Sequence, residues 1–86
     1  MIAIELFGVP RLRAGIGRID LEATTVGEAL TALGRACPSL AGAVIAGTGL
    51  HPAYRLSLNS DRFVTDPATP LADGDALLLL AADAGG

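Results

Sequence analysis

Lysine and tryptophan are both absent from this 86-residue chain, whose six basic residues are all arginine. Nine acidic residues outnumber them, and the formal net charge is −3. Nucleic-acid binding needs clustered basic side chains, and only Arg11, Arg13 and Arg18 lie near one another in sequence. One Tyr and two Phe offer little surface for base stacking. We therefore expect no nucleic-acid partner, and without lysine no side-chain amine can react with an activated carboxyl group.

Cysteine is almost absent as well, since Cys37 is the only one. A single cysteine excludes an intrachain disulfide and a zinc site built from cysteine pairs, which favours a reducing compartment. The opening stretch MIAIELFG contains Glu5 and no basic residue ahead of it, unlike a secretory signal. The longest apolar run is far shorter than the roughly 20 residues that span a bilayer. We therefore expect a cytoplasmic protein with no membrane partner.

Residues that could support catalysis or bind a metal are few and scattered. Cys37 falls on the apolar face of a predicted helix, where nothing nearby lowers the thiol pKa, so we expect a buried hydrophobic side chain. His51 has no second ligand at metal-binding spacing. Asp73 and Asp75 flank a glycine in a predicted turn, where aspartate side chains bond to the backbone. The sequence thus predicts no metal site and no catalytic side chain.

Two alternating stretches open the chain. Ile2, Ile4 and Leu6 share one face of the first stretch, and RIDLEA at residues 18–23 alternates in the same way. Residues 9–17, VPRLRAGIG, contain proline and glycine and predict a turn. The three parts together predict an N-terminal β-hairpin.

Helical spacing follows in TTVGEALTALGRACP. Thr25 and Glu28 form a capping box, in which the hydroxyl and the carboxylate accept free backbone N–H groups at the start of a helix. The apolar residues recur at helical intervals on one face, and Pro38 ends the pattern. We expect one amphipathic helix that covers one face of a sheet.

The middle of the chain, residues 39–54, is rich in Gly and Ala and gives no clear period. It predicts either a long connection or a short helical turn around Leu40 to Ile45. Residues 54–58 then alternate as a strand, followed by a turn at Asn59 to Asp61 and a short return through Phe63 and Val64.

The strongest apolar run, ALLLLA at residues 76–81, follows a loop and a tight turn. A strand that is apolar on both faces is typical of the middle of a sheet with other groups packed on it. A helix that crosses a mixed sheet, in which the first and last strands are neighbours, is the ubiquitin-like β-grasp arrangement. The sequence therefore predicts an α+β fold with a β-grasp domain over residues 1–80.

The last six residues, AADAGG, raise a separate question. The last residues of most domains are poorly ordered, so two glycines at an end can be incidental. Alternatively, the terminal carboxylate is the functional group, since glycine permits a close approach that other residues forbid. We divide the chain into the domain at residues 1–80 and a flexible diglycine tail at residues 81–86.

Several motifs in order resemble one family. IELFGVPRLRAGIG is similar to the opening of the molybdopterin synthase small subunit, and TVGEAL is similar to the start of its helix. LSLNSDRFV, TPLADGDALLLL and the final GG resemble its asparagine turn, its last turn and strand, and its diglycine end. Their order and spacing across nearly the whole chain resemble the MoaD/ThiS family of β-grasp sulfur carriers.

The resemblance implies that the Gly86 carboxylate is adenylated with ATP by a ubiquitin-activating-like enzyme and then converted to a thiocarboxylate. The tail residues Ala82, Asp83, Ala84 and Gly85 would enter the active site of a partner enzyme. Because the resemblance is closest to the molybdopterin synthase small subunit, that partner would be the large subunit, which acts in molybdenum cofactor biosynthesis. The chain itself would bind no cofactor, because ATP is bound by the activating enzyme.

The resemblance also places Phe7 and Leu80 near the surface that docks on partner proteins, although either side chain could equally belong to the core. Asp83 departs from the prolines that commonly precede the glycines in this family, and a buried carboxylate there would need a partner.

Three alternatives stay open at this point. Carriers that serve cysteine, thiamin or sulfur-containing metabolite biosynthesis share the same chemistry. A ubiquitin-like modifier would join the same glycine carboxylate to lysines of target proteins. A noncatalytic β-grasp interaction domain could carry the diglycine incidentally.

Overall fold

A computed structural model describes residues 1–82 of the chain. The strands of the main sheet are β1 (Ile2–Leu6), β2 (Arg18–Leu21), β5 (Tyr54–Leu58), β6 (Arg62–Val64) and β7 (Ala76–Ala81). The other elements are α1 (Val9–Ala14), α2 (Val26–Ala36), a 3₁₀ helix (Pro38–Leu40), and a small hairpin of β3 (Ile45–Ala46) and β4 (Gly49–Leu50).

The five-stranded sheet has the order β2-β1-β7-β5-β6, so the last strand is central, as predicted. β1 is antiparallel to β2 and parallel to β7, with Ile4 opposite Leu77. β5 runs antiparallel to β7, with Leu56 opposite Leu79. The N-terminal hairpin and the pairing of the first and last strands are confirmed, which gives the predicted mixed β-grasp sheet.

Helix α2 covers one face of this sheet and forms a single apolar core with it. Leu30 and Leu33 on the helix and Leu79 on the central strand are at most 1 % exposed. No polar or charged side chain is buried within residues 1–82. Burial of apolar surface therefore stabilises this fold without a buried polar network. Cys37 is 6 % exposed and belongs to the core, as expected.

The start of α2 confirms the predicted capping interaction, with one difference. The Thr25 hydroxyl accepts a hydrogen bond from the Glu28 N–H at 3.2 Å. The Glu28 carboxylate accepts from the N–H of Thr24 at 2.8 Å, one residue earlier than a standard capping box requires. This backbone bond, with the Thr24 hydroxyl as a second donor, lowers the pKa of Glu28.

Residues 9–14 form the short helix α1, so the turn predicted for this stretch is wrong. Pro10 lies in the first helical turn, where its missing N–H costs nothing and its fixed φ favours the helix. Gly15, at φ 77°, ends the helix in the left-handed conformation, and its N–H donates to the Arg11 carbonyl. Only Pro10 is buried in this helix, so no apolar periodicity could have indicated it.

The middle stretch is also more ordered than predicted. The short helical turn exists, but it spans Pro38–Leu40 and not Leu40 to Ile45. The hairpin of β3 and β4 was not predicted, because strands of two residues are too short to show alternation. Among the described helices, none is long and apolar enough to cross a membrane.

A side-chain pair joins the two turns at one end of the sheet. The Asn59 amide donates to the Asp75 carboxylate at 3.0 Å, and its carbonyl oxygen accepts from the Ala76 N–H at 2.8 Å. The other Asp75 oxygen accepts from the Ala72 N–H at 2.8 Å. The Asn59 bond, followed by the Ala72 bond, lowers the pKa of Asp75. This clamp fixes the turn that precedes the central strand.

We expect Asp75→Asn to lower the melting temperature at about pH 7 and to have a smaller effect near pH 2.5. Because the folded-state pKa of Asp75 lies below its unfolded value of 3.8, the stabilisation is present above that value and is lost as the pH falls through the folded pKa. Thermal unfolding followed by circular dichroism at both pH values measures the difference.

Asp61→Asn is the matched control, since its carboxylate accepts no hydrogen bond from any residue between 1 and 82. An equal loss of melting temperature at both pH values for Asp75→Asn would contradict an ionic role of the clamp.

Candidate functional site

The end of the central strand positions the predicted tail. β7 includes Ala81, which pairs with Tyr54 on β5, so the sheet extends one residue into the stretch assigned to the tail. The Ala82 N–H donates to the Ala53 carbonyl at 2.7 Å. The predicted site residues 83–86, Asp83, Ala84, Gly85 and Gly86, lie outside the described residues, and their roles stay predictions.

The parallel pairing of β1 and β7 brings further elements to this end of the sheet. The Phe7 N–H donates to the Leu79 carbonyl at 3.0 Å, which extends the ladder beyond β1. Continuing the register that sets Leu6 opposite Leu79 places Phe7 beside Leu80. Helix α1 follows directly and therefore lies close to the residues that lead into the tail. We call this side of the molecule the tail end.

The face of the sheet opposite α2 is the second part of the site, and we call it the open face. The strand registers place one row of open-face residues across four strands, in the order Glu5, Leu78, Ser57 and Phe63. A second row joins Phe7, Leu80 and Arg55.

The open-face side chains are exposed or half-buried. Phe7 is 57 % exposed and Phe63 is 53 % exposed, whereas Leu78 and Leu80 are half-buried. The sequence predicts a last strand that is apolar on both faces and lies in the middle of a sheet with other groups packed on it. Within residues 1–82, β7 buries Leu77 and Leu79 on the α2 side, while its open-face leucines keep contact with solvent. An exposed apolar surface of this kind is typical of a protein-binding site.

An arginine borders the apolar part of the open face. The Arg55 guanidinium carbon lies 5.2 Å from the centre of the Phe63 ring, within the range of a cation–π interaction. Arg55 is also opposite Leu80 in the ladder. The open face can thus offer apolar contacts and a charged hydrogen-bond donor to a partner.

The structure places both predicted docking residues, Phe7 and Leu80, on the open face, and not in the core. Arg55, Phe63 and Leu78 complete the same surface and were missed from the sequence. Alternation indicates which residues share a face of one strand, but only the register between strands shows that β5 and β6 bring their residues beside β7.

Other candidate groups have structural roles. The His51 Nδ1 accepts a hydrogen bond from the Ala53 N–H at 3.2 Å, and its ring meets Tyr54 edge-on at 6.3 Å between centroids. Asp75 bonds to the backbone of its turn, as expected, and Asp73 pairs with the Met1 amine. Across the part of the chain that the structure describes, no three His, Cys, Asp or Glu side chains cluster in a way that could hold a metal.

Comparison with known proteins gives structural neighbours only. No protein-family model matches the sequence, and no curated protein matches it significantly. The chain is 29% identical to small archaeal modifier protein 1 (SAMP1) from Haloferax volcanii, with a TM-score of 0.78 over 99% of this chain and 98% of that one.

Two further neighbours come from complexes. A chain of the Amycolatopsis orientalis BexX/CysO complex is 21% identical, with a TM-score of 0.81 over 100% of both chains. A chain from the complex of subunits 1 and 2 of the Helicobacter pylori molybdopterin-converting factor is 23% identical, with a TM-score of 0.62 over 93% of this chain and 90% of that one. The predicted ubiquitin-like β-grasp fold is confirmed.

Proposed function

This chain has the β-grasp fold of the MoaD/ThiS family, as its sequence predicts, and we propose that it is a sulfur carrier protein that uses the carboxylate of Gly86. In this proposal the carboxylate is adenylated and converted to a thiocarboxylate, which donates sulfur within a molybdopterin synthase-type complex. The chain is the sulfur-donating small subunit, and a large subunit receives the tail.

One observation supports this role more than any other: the open face is continuous with the strand that leads into the tail. Leu80 lies one residue before the end of β7 and two before Ala82, and Phe7 lies beside it. A partner that covers this apolar surface would therefore hold the start of the tail at a fixed place. Fixing one end of a short segment limits where its other end can go, which is how a main-chain carboxylate can be positioned for reaction.

The proposed chemistry takes place on main-chain atoms. A carboxylate oxygen of Gly86 attacks the α-phosphorus of ATP, and pyrophosphate leaves. A sulfide-level nucleophile then attacks the carbonyl carbon, a carbon–sulfur bond forms, and AMP leaves with the electron pair of the broken carbon–oxygen bond. Glycine at both final positions leaves no Cβ to obstruct a narrow active site.

The proposal requires two partners: an adenylating enzyme that binds ATP and a sulfur-acceptor enzyme. The Helicobacter pylori and Amycolatopsis orientalis structures are complexes that each contain a chain similar in fold to this one. These complexes support a partner protein for this chain. The choice of a molybdopterin synthase large subunit, over an enzyme of cysteine, thiamin or other sulfur metabolism, rests on the sequence resemblance.

A second candidate function is protein modification, favoured by the likeness to small archaeal modifier protein 1 at 29% identity. In that case the activated Gly86 carbonyl would form an isopeptide bond with a lysine of a target protein. Because this chain has no lysine, its own side chains could not extend such a modifier into a branched polymer.

Intact-mass spectrometry of the chain purified from its own host tests the proposal. We expect a fraction of the molecules to be heavier by about 16 Da, the difference between sulfur and oxygen, and a C-terminal fragment to carry the increase. Isopeptide-linked target proteins in place of this species would favour the modifier. Unmodified mass alone, even with the adenylating enzyme, ATP and a sulfur donor supplied, would contradict both covalent functions.

A further inference from the structure

Within residues 1–82, three exposed arginines and most of the carboxylates lie at opposite ends of the sheet. β7 contains six residues, so at about 3.3 Å per residue its ends lie roughly 20 Å apart. The tail end carries α1 and the first residues of β5. The opposite end, which we call the acidic end, carries the start of β1, the end of β2 and the turn before β7.

Exposed arginines lie at the tail end. Arg11 and Arg13 are exposed on α1, and Arg55 is exposed beside Leu80. None of these three guanidinium groups lies within 4 Å of a carboxylate in residues 1–82. Arg11 packs over Gly17, where a Cβ would come within 3.1 Å of its guanidinium carbon, so its side chain extends along the protein surface.

Apolar side chains lie among these arginines. Leu12, between Arg11 and Arg13, is 82 % exposed, the largest exposed fraction among the large hydrophobic residues described. Val9, one turn earlier, is 43 % exposed. The Leu12 side chain is not buried in the fold, so it is available for contact with another molecule.

Carboxylates gather at the acidic end. Glu22, Glu28 and Asp73 surround a depression beside Met1, and Asp75 lies on the adjacent side of the same end. Asp20, opposite Ala3 in the β1–β2 ladder, lies nearby and pairs with Arg18. Within residues 1–82, most carboxylates therefore lie at the acidic end, whereas the exposed arginines Arg11, Arg13 and Arg55 lie at the tail end.

We propose that α1 and Arg55 form a docking surface for a protein whose tail-accepting opening is bordered by carboxylates around an apolar patch. This inference rests on the proposed function, because that function requires the tail to enter a partner. Arg11, Arg13 and Arg55 pair with the bordering carboxylates, and Leu12 contacts the apolar patch. The acidic end is repelled by the same border, so long-range electrostatics turns the tail toward the opening before contact.

A protein fits this surface better than a nucleic acid does. Three arginines are too few to neutralise an extended phosphate backbone, and the nine acidic residues of the chain would repel phosphate groups. Leu12 and Val9 offer apolar contact at the place where a phosphate-binding surface would carry polar groups. Arginine next to exposed aliphatic side chains is typical of protein interfaces.

The test measures adenylation of this chain by the adenylating enzyme of the same organism, through ATP–pyrophosphate exchange. The double variant Arg11→Glu/Arg13→Glu should lower kcat/KM for the chain about tenfold or more at low ionic strength, through KM and not kcat. The wild-type kcat/KM should fall as ionic strength rises from about 20 to 300 mM, and the double variant should lose this dependence.

Matched variants separate charge from folding. Arg62→Glu reverses an exposed arginine at the start of β6, away from the tail end, and should stay within about twofold of wild type. Arg11→Lys/Arg13→Lys keeps the charge and should retain most of the activity and its salt dependence. Melting temperatures of all variants confirm that each is folded.

Three results would overturn the inference in distinguishable ways. If the wild-type chain is adenylated and the double charge reversal matches Arg62→Glu at every ionic strength, the docking surface is wrong and the carrier function stands. If the wild-type chain is not adenylated at all, the carrier function and the docking surface fail together. Binding of single-stranded RNA that is lost in the double variant would assign the arginines to a nucleic acid and would also overturn the inference.

Discussion

Deletion of Gly86 is expected to abolish thiocarboxylate formation and to leave the melting temperature of the domain unchanged. The shortened chain still ends in a glycine carboxylate, but its reach falls by about 3.5 Å, the span of one extended residue. Reacting atoms must approach within about 3 to 3.5 Å in aligned geometry, and misplacement by about 1 Å can cost 100-fold in rate. We therefore expect a loss of at least about 100-fold in sulfur transfer, measured by intact-mass spectrometry after incubation with the adenylating enzyme, ATP and a sulfur donor.

Stability should not change, because the described hydrogen bonds that hold β7 are made among residues 1–82. Tyr54 pairs with Ala81, and the last described bond runs from the Ala82 N–H to the Ala53 carbonyl. Differential scanning calorimetry of the deletion variant and the wild type compares their melting temperatures directly.

Two further variants separate the length of the tail from the identity of its last residue. Deletion of Ala84 keeps the diglycine but shortens the chain by the same amount, so it should lose as much activity as deletion of Gly86. Gly86→Ala keeps the length and adds a methyl group beside the reacting carbon, so it tests the need for a residue without a Cβ. Undiminished sulfur transfer in the Gly86 deletion would refute the assignment of the reaction to the Gly86 carboxylate.

Long, regular elements could be predicted from this sequence because their local signals agree with their tertiary surroundings. Thr25, Glu28 and Pro38 mark the limits of α2 by backbone chemistry that operates within one turn. The unbroken apolar run at residues 76–81 requires burial on the α2 side and reduced exposure on the other, which only a central strand provides.

Short elements escaped prediction because tertiary contacts determine them. α1 buries only Pro10, and its hydrogen bond from the Ser39 hydroxyl to the Arg13 carbonyl, at 2.6 Å, comes from a residue far away in sequence. The β3–β4 hairpin consists of two residue pairs, too few for a periodic signal. In both stretches glycine and proline indicated a turn without showing what lies between the turns.

Only those parts of the candidate site that are contiguous in sequence could be predicted from the sequence. The diglycine and its link to β7 are local features of the sequence. The open face is not local, since Phe63 reaches it through the β5–β6 ladder and Arg55 through the β5–β7 ladder. The arginines of α1 and the carboxylates of the acidic end lie at opposite ends of the sheet because β1 and β7 run parallel. This separation cannot be predicted from the sequence until that pairing is known.

The four consecutive leucines of β7 point alternately to the core and to the open face. Leu77 and Leu79 are at most 1 % exposed and belong to the core, whereas Leu78 and Leu80 are half-buried on the open face. A core position is optimised for packing within the chain, and an open-face position is free to contact another protein. Substitutions at adjacent residues of this strand can therefore test stability and partner binding separately.

Leu79→Ala is expected to destabilise the domain by about 3 to 4 kcal/mol, because it leaves a cavity in a core position on the central strand. For a domain of this size such a loss lowers the melting temperature by roughly 12 to 32 °C, measured by thermal denaturation. Leu80→Ala removes the same atoms from a half-buried site, and we expect a cost below about 1 kcal/mol.

Binding to the acceptor enzyme should rank the two variants in the opposite order. At a temperature where both are folded, Leu80→Ala should weaken the complex about tenfold or more, since truncating a hot-spot residue at the centre of an interface costs about 2 kcal/mol or more. Leu79→Ala should bind within about twofold of wild type, because its side chain points away from the open face. Isothermal titration calorimetry measures both affinities. Equal affinities for Leu80→Ala and wild type would mean that Leu80 on the open face does not contact the acceptor enzyme. A small stability loss in Leu79→Ala would mean that the core closes around the missing side chain.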